Sequence, residues 1–145
     1  MNDLDDANPA KLGFFTLHQS LGVCVFVLAI TRIFVKFRAA HPPLPSDLSM
    51  WDRRMAQGTH FFLYLILVLM PLTGILMTVL SGYSVPFFNF FEFPRFLNEN
   101  QGAGKLLTRA HEFLAYAIAT LVVLHLGGIL KEFVLHKRNL LKRMI

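Results

Sequence analysis

The stretch that decides the fold runs from Thr108 to Lys131, TRAHEFLAYAIATLVVLHLGGILK. From Phe113 to Leu130 it holds no formally charged residue, and an apolar run of that length can cross a bilayer as a helix. Two histidines mark it, His111 at its start and His125 inside it. Ionisable residues are rare in membrane spans and mark functional positions there. The two are 14 residues apart. At 100° per residue the second falls about 40° from lying directly above the first, and the rise separates them by ~21 Å along the axis. That is most of a hydrocarbon core of ~30 Å. The imidazoles share one helix face, one near each membrane surface. A single ion cannot use both, whereas two large flat cofactors, one per leaflet, could.

The rest of the chain fits a membrane setting. Its 145 residues are 54% hydrophobic with fifteen Phe, and the mean hydropathy is +0.51, too apolar for a soluble domain of this length. The single Cys24 excludes an internal disulfide and a Cys-rich metal or iron–sulfur site, and the absence of C-x-x-C-H excludes covalently attached haem. The net charge of +5 clusters beside apolar segments. It reads as the loop charge of a membrane protein, with no nucleic-acid partner. The expected class is all-α: one membrane domain, a transmembrane helical bundle with spans at about 14–37, 59–80 and 108–135.

Residues 1–13 form a polar tail with Asp3, Asp5 and Asp6 and lack the basic start of a signal peptide. The first span closes on Arg32, Lys36 and Arg38. HPPLPSD, from His41 to Asp47, interrupts any helix, after which Ser46 or Ser49 could cap a short helix through Trp51, Arg53 and Arg54. His60 opens the second span, which Pro71 and Gly74 interrupt. VPFFNFFEFPRF, from Val85 to Phe96, reads as an interfacial aromatic loop. The tail HKRNLLKRMI is basic and amphipathic, and His41 and His136 read as solvated. Five Lys or Arg lie in the first connection (Arg32, Lys36, Arg38, Arg53, Arg54) and five near the C-terminus (Lys131, Lys137, Arg138, Lys142, Arg143). Lys11 alone precedes the first span, and Arg95, Lys105 and Arg109 occupy the second connection. The positive-inside rule then puts the first connection and C-terminus in the cytoplasm and the N-terminus outside.

That orientation sorts the histidines into layers. His18 and His111 begin spans that descend from outside; His60 begins the ascending span and falls level with His125. The 14-residue step recurs, from His18 to Arg32 and from His60 to Gly74. The outer level then holds His18, His111 and Gly74, and the inner level His60, His125 and Arg32. Imidazoles can ligate a haem iron from either side. Glycine lets a flat ring approach the backbone, and arginine pairs with carboxylates such as haem propionates. Gly22 and Gly127–Gly128 could give further clearance. The plainer reading is that such histidines bond backbone carbonyls or line polar cavities, that Arg32 snorkels to the surface, and that the glycines serve helix packing.

The chain resembles the prokaryotic cytochrome b561 family, membrane b-type cytochromes related to the cytochrome subunits of hydrogenases and formate dehydrogenases. The resemblance rests on LHQSLGVCVFVLAITRIFVKF, PPLP, THFFLYLILVLMPLTGILM, SGYSVPFF, RAHEFLAYAIATLVVLH and the basic NLLKRMI. It covers nearly all the chain from Lys11 onward. It implies four spans, of which this chain matches the second to fourth. It also implies an outer haem b held by His18 and His111, and an inner one held by His125 with a histidine of the span that has no counterpart here. Three outcomes then stay open for the inner site: His60 replaces the missing ligand, another subunit supplies it, or the inner haem is absent. After His125 the family often has His-His-Phe, where this chain has Lys131, Glu132 and Phe133.

The resemblance implies electron transfer to or from quinone in the bacterial inner membrane, through one haem b or two, and in some members superoxide oxidation. Two other readings stand beside it. One is a cytochrome anchor subunit of a membrane dehydrogenase or hydrogenase, with a redox partner subunit. The other is a haem-free structural membrane protein.

Overall fold

The computed structural model describes residues 9–38 and 49–136. The acidic tail, most of the first connection with His41, and the basic tail from residue 137 with the side chain of His136 lie outside the described residues. Three long helices carry the fold: α1, Pro9–Arg38, α2, Met50–Leu80, and α3, Gln101–His136. Between α2 and α3 lies a small antiparallel hairpin of β1, Val85–Phe87, and β2, Phe91–Phe93. Helices of 30, 31 and 36 residues are about 45, 46 and 54 Å long. All exceed a hydrocarbon core of ~30 Å, so their ends stand in the interfaces.

The sequence separates a short helix near Trp51 from a span that opens at His60. The structure joins them. Ser49 caps α2, its hydroxyl accepting from the Asp52 amide at 3.1 Å, a contribution of about 1 kcal/mol. Asp52 adds a carboxylate to the first turn, where the helix dipole favours it. Nothing between Met50 and His60 stops the helix. His60 therefore lies ten residues past Met50 (60 − 50), not at the helix mouth. The helix also runs through Pro71, which is buried and removes the amide that would bond the Leu67 carbonyl.

The arrangement places α2 in the middle. It packs against both α1 and α3, while among the described residues no Cα of α1 comes within 8 Å of one in α3. The α2–α3 pair is fastened at both ends. At one end the Asn100 amide donates to the Leu80 carbonyl at 2.9 Å. There Gly104 approaches so closely that a Cβ would stand 2.9 Å from the Ser81 hydroxyl. At the other end Lys131 Nζ meets Asp52 Oδ1 at 2.6 Å.

The aromatic segment, expected as a loop, is a two-stranded hairpin. Its turn, Phe87 to Phe90, closes with the Phe90 amide donating to the Phe87 carbonyl at 2.9 Å. Phe88 and Asn89 take φ of 46° and 61°, the double positive φ of a type I′ hairpin turn. Phe88 is an unusual residue there, and the conformation costs on the order of 1–3 kcal/mol. Ser20 of α1 offsets it. Fully buried, its hydroxyl donates to the Thr16 carbonyl at 2.6 Å and accepts from the Phe88 amide at 2.8 Å. The hairpin is thus seated on α1.

Little of the apolar surface is buried inside the chain. None of the most apolar stretch of α3 is buried, and Phe14, Leu28, Phe113 and Tyr116 of α1 and α3 are exposed. Lipid solvates such a surface, and the helices satisfy their own backbone hydrogen bonds within it.

Candidate functional site

The gap between α1 and α3 holds a cavity of about 280 Å³. His18 of α1 and His111 of α3 face each other across it, ring centroids 6.1 Å apart and planes at 87°. Its floor is α2, where Pro71, Gly74, Ile75 and Thr78 line it; Gly22 lines it from α1 and Val85 from the hairpin. The glycine at position 74 has a steric reason. A Cβ there would lie 3.2 Å from His111 Cε1, tighter than ordinary contact.

The His111 ring is oriented by α2. Its Nδ1 lies 3.1 Å from Thr73 Oγ1, and that hydroxyl already donates its one proton to the Met70 carbonyl at 2.9 Å. Thr73 therefore accepts from His111 Nδ1–H, which leaves the Nε2 lone pair free as a ligand. Nothing in the sequence marked Thr73 beyond a hydroxyl in an apolar span beside Gly74. Thr78, also on the cavity floor, accepts from the Gln19 amide at 3.1 Å.

The second histidine pair lies at the opposite end. His60 of α2 and His125 of α3 have ring centroids 5.1 Å apart with planes at 70°. These two helices pack directly on each other, unlike the pair that carries His18 and His111. Arg32 is exposed on α1. The α1 cation that reaches this end is Lys36, one turn further on, whose Nζ stands 3.9 Å from the centre of the Tyr64 ring and whose charge acts on His60. Gly127 and Gly128 would meet nothing within 4 Å if given a Cβ, so neither borders on a packed neighbour.

Two histidine layers on three membrane-length helices are the frame that the comparison with known proteins addresses. A family model for prokaryotic cytochrome b561 matches residues 1–145. The chain belongs to this family. Among its relatives, cytochrome b561 homolog 1 of Escherichia coli K12 is 30% identical over 128 residues, 88% of this chain and 72% of that protein. Cytochrome b561 homolog 2 of the same strain is 29% identical over 130 residues, 89% and 69% of the two chains. A Yersinia pestis protein named probable superoxide oxidase CybB is 29% identical over 129 residues, 88% and 73%. As a cytochrome b561 the chain is a multi-pass protein of the bacterial inner membrane, a b-type cytochrome of electron transfer, and the family implies haem b.

Whether this cytochrome b561 has a place for haem is a matter of its residues. Metal–imidazole bonds of about 2 Å on both sides of one metal set opposed ring centres on the order of 6 Å apart. The His18–His111 pair has that separation, with a cavity between the helices and a glycine in its floor. The His60–His125 pair is about an ångström short of it, between helices already in contact.

Proposed function

We propose that this chain is an electron carrier that holds one haem b between His18 and His111 near one membrane surface. The observation that carries the proposal is the 6.1 Å separation of those rings across a cavity between two helices whose described Cα atoms nowhere approach within 8 Å. Bound haem supplies one-electron exchange at its iron. The chain does the rest. His18 and His111 present ring nitrogens from opposite sides, Thr73 fixes the His111 tautomer, and Gly74 keeps the floor clear. We assign no haem to the His60–His125 pair on its own. With α2 and α3 packed together, His125 serves a second haem only if another segment provides the opposing ligand, with Lys36 and Arg32 at that end available to carboxylates.

Haem content tests this. Purified protein should carry one haem b per chain by pyridine haemochrome assay, and His60→Ala should leave that value unchanged. Two haems in wild type and one in His60→Ala would overturn it and make His60 a ligand.

The electron partner we propose is a membrane quinone, because the redox site lies among helices whose outer surfaces are apolar and a lipid-soluble carrier can reach it. Superoxide as electron donor is a second reading, favoured by the name of the Yersinia relative. Rapid reduction of the haem by superoxide in a stopped-flow experiment would support it. A soluble or membrane dehydrogenase that copurifies in fixed ratio would instead favour the anchor-subunit role.

The Lys and Arg distribution supports an N-terminus outside and a C-terminus in the cytoplasm, which would put His18 and His111 at the outer surface. Reporter fusions should give an active periplasmic phosphatase at the N-terminal side and cytoplasmic fluorescence at the C-terminus. The reverse pattern would move the proposed haem to the inner surface.

A further inference from the structure

Seven of the fourteen residues from Tyr83 to Phe96 are aromatic: Tyr83, Phe87, Phe88, Phe90, Phe91, Phe93 and Phe96. They divide into two groups. Phe87, with Phe88, Phe91 and Phe93 at centroid distances of 5.0 to 6.3 Å, forms a cluster of rings packed on one another, of which Phe91 and Phe93 are still partly exposed. Phe90, Tyr83 and Phe96 lie outside that cluster and are 82%, 69% and 60% exposed. In water an outward aromatic edge of this kind would be a costly surface. Yet the segment is firmly built: its backbone is paired, and Ser20 ties it to α1.

The charged groups of the segment are engaged locally. Glu92 accepts from the Ser84 hydroxyl, Arg95 donates to the Gly82 carbonyl at 3.2 Å, and Glu99 accepts from the Gln101 amide at 2.9 Å. The outward edge is therefore aromatic with its charges held to the chain, the composition favoured where headgroups meet acyl chains. Its location agrees. The hairpin joins the C-terminal end of α2 to the N-terminal end of α3, and β1 packs on α1 within a turn of His18. Phe14, Phe15 and Leu21 of α1, within two turns of Ser20 along the helix, are exposed and apolar as well.

We propose that the β1–β2 hairpin lies in the lipid interface at the His18–His111 end, with Phe90 and Phe96 among the headgroups and upper acyl chains, and that Ser20 fixes its height. The partner is the lipid surface itself. A soluble protein docking on the same rings is the competing occupant and would need them in water. Because β1 also borders the histidine cavity through Val85, an immersed hairpin turns that side of the cavity toward lipid. The inference stands independently of haem ligation.

The test uses the full chain in phosphatidylcholine vesicles, with Trp51→Phe to remove the one native tryptophan and Phe90→Trp as reporter. Lipid brominated near the carbonyl end of its acyl chains should quench the emission by at least about half, and aqueous iodide should do little. Phe96→Trp gives the same readout should the first variant fail to insert. Adding Ser20→Ala should reduce the bromine quenching, as the hairpin loses its anchor. Emission quenched by iodide and untouched by brominated lipid, in either reporter, would overturn the proposal and leave the rings facing water.

Discussion

Replacing His18 or His111 by Ala is expected to abolish the sharp α-band of the reduced haem, while His41→Ala, in the polar connection, leaves it intact. The geometry makes the two losses equivalent in spectrum but not in retention. His111 is half-buried and oriented by Thr73, whereas His18 is exposed on α1. The His18 variant should therefore keep some haem on His111 alone, shifted to a high-spin spectrum, and the His111 variant should keep less. Elution of each variant from size-exclusion chromatography in detergent at the wild-type volume separates lost ligation from lost fold. A full complement of low-spin haem in both variants would remove these residues from the site.

The second large effect is expected at Gly74. A Cβ at this position would stand 3.2 Å from His111 Cε1, and valine adds two methyl groups to it. Neither α2 nor α3 can readily yield, since they are fastened by Gly104 against Ser81 and by Lys131 with Asp52. Overpacking of this kind costs about 1–3 kcal/mol, or roughly 5- to 150-fold in haem retention if the cost falls on the bound state. Gly127→Ala is the matched control, because a Cβ there meets nothing within 4 Å. Titration of apoprotein with haem measures both. Equal affinity of Gly74→Val and wild type would mean that the His111 ring does not lie against this helix when haem is bound.

The parts of the fold that follow from apolar length were readable in the sequence. So was the layering of histidines, because a 14-residue step on a helix fixes both depth and face. What was not readable depends on partners. The start of α2 lies ten residues before His60 and is set by a capping bond between Ser49 and Asp52, which hydropathy does not register. The hairpin has no alternating pattern, and its turn places Phe88 where glycine or asparagine is usual. Only Ser20, 68 residues away, accounts for it. Depth likewise brought Arg32 to the level of His60 and His125, but it could not say which cation of α1 reaches them. Lys36 is the one set beside Tyr64. Which helices touch is also outside the reach of periodicity, and that decides why one histidine pair encloses a cavity and the other does not.

The separation of α1 from α3 also sets an order of events during synthesis. α1 emerges first of the three and finds no surface to pack on until α2 has followed it into the bilayer. A lone helix can wait there, since its backbone bonds are already made. Its seat is still incomplete at that stage, because the hairpin that holds Ser20 comes later in the chain. α1 is thus fixed only once α2 and then the hairpin have followed it, and until α3 arrives His18 has no histidine opposite it.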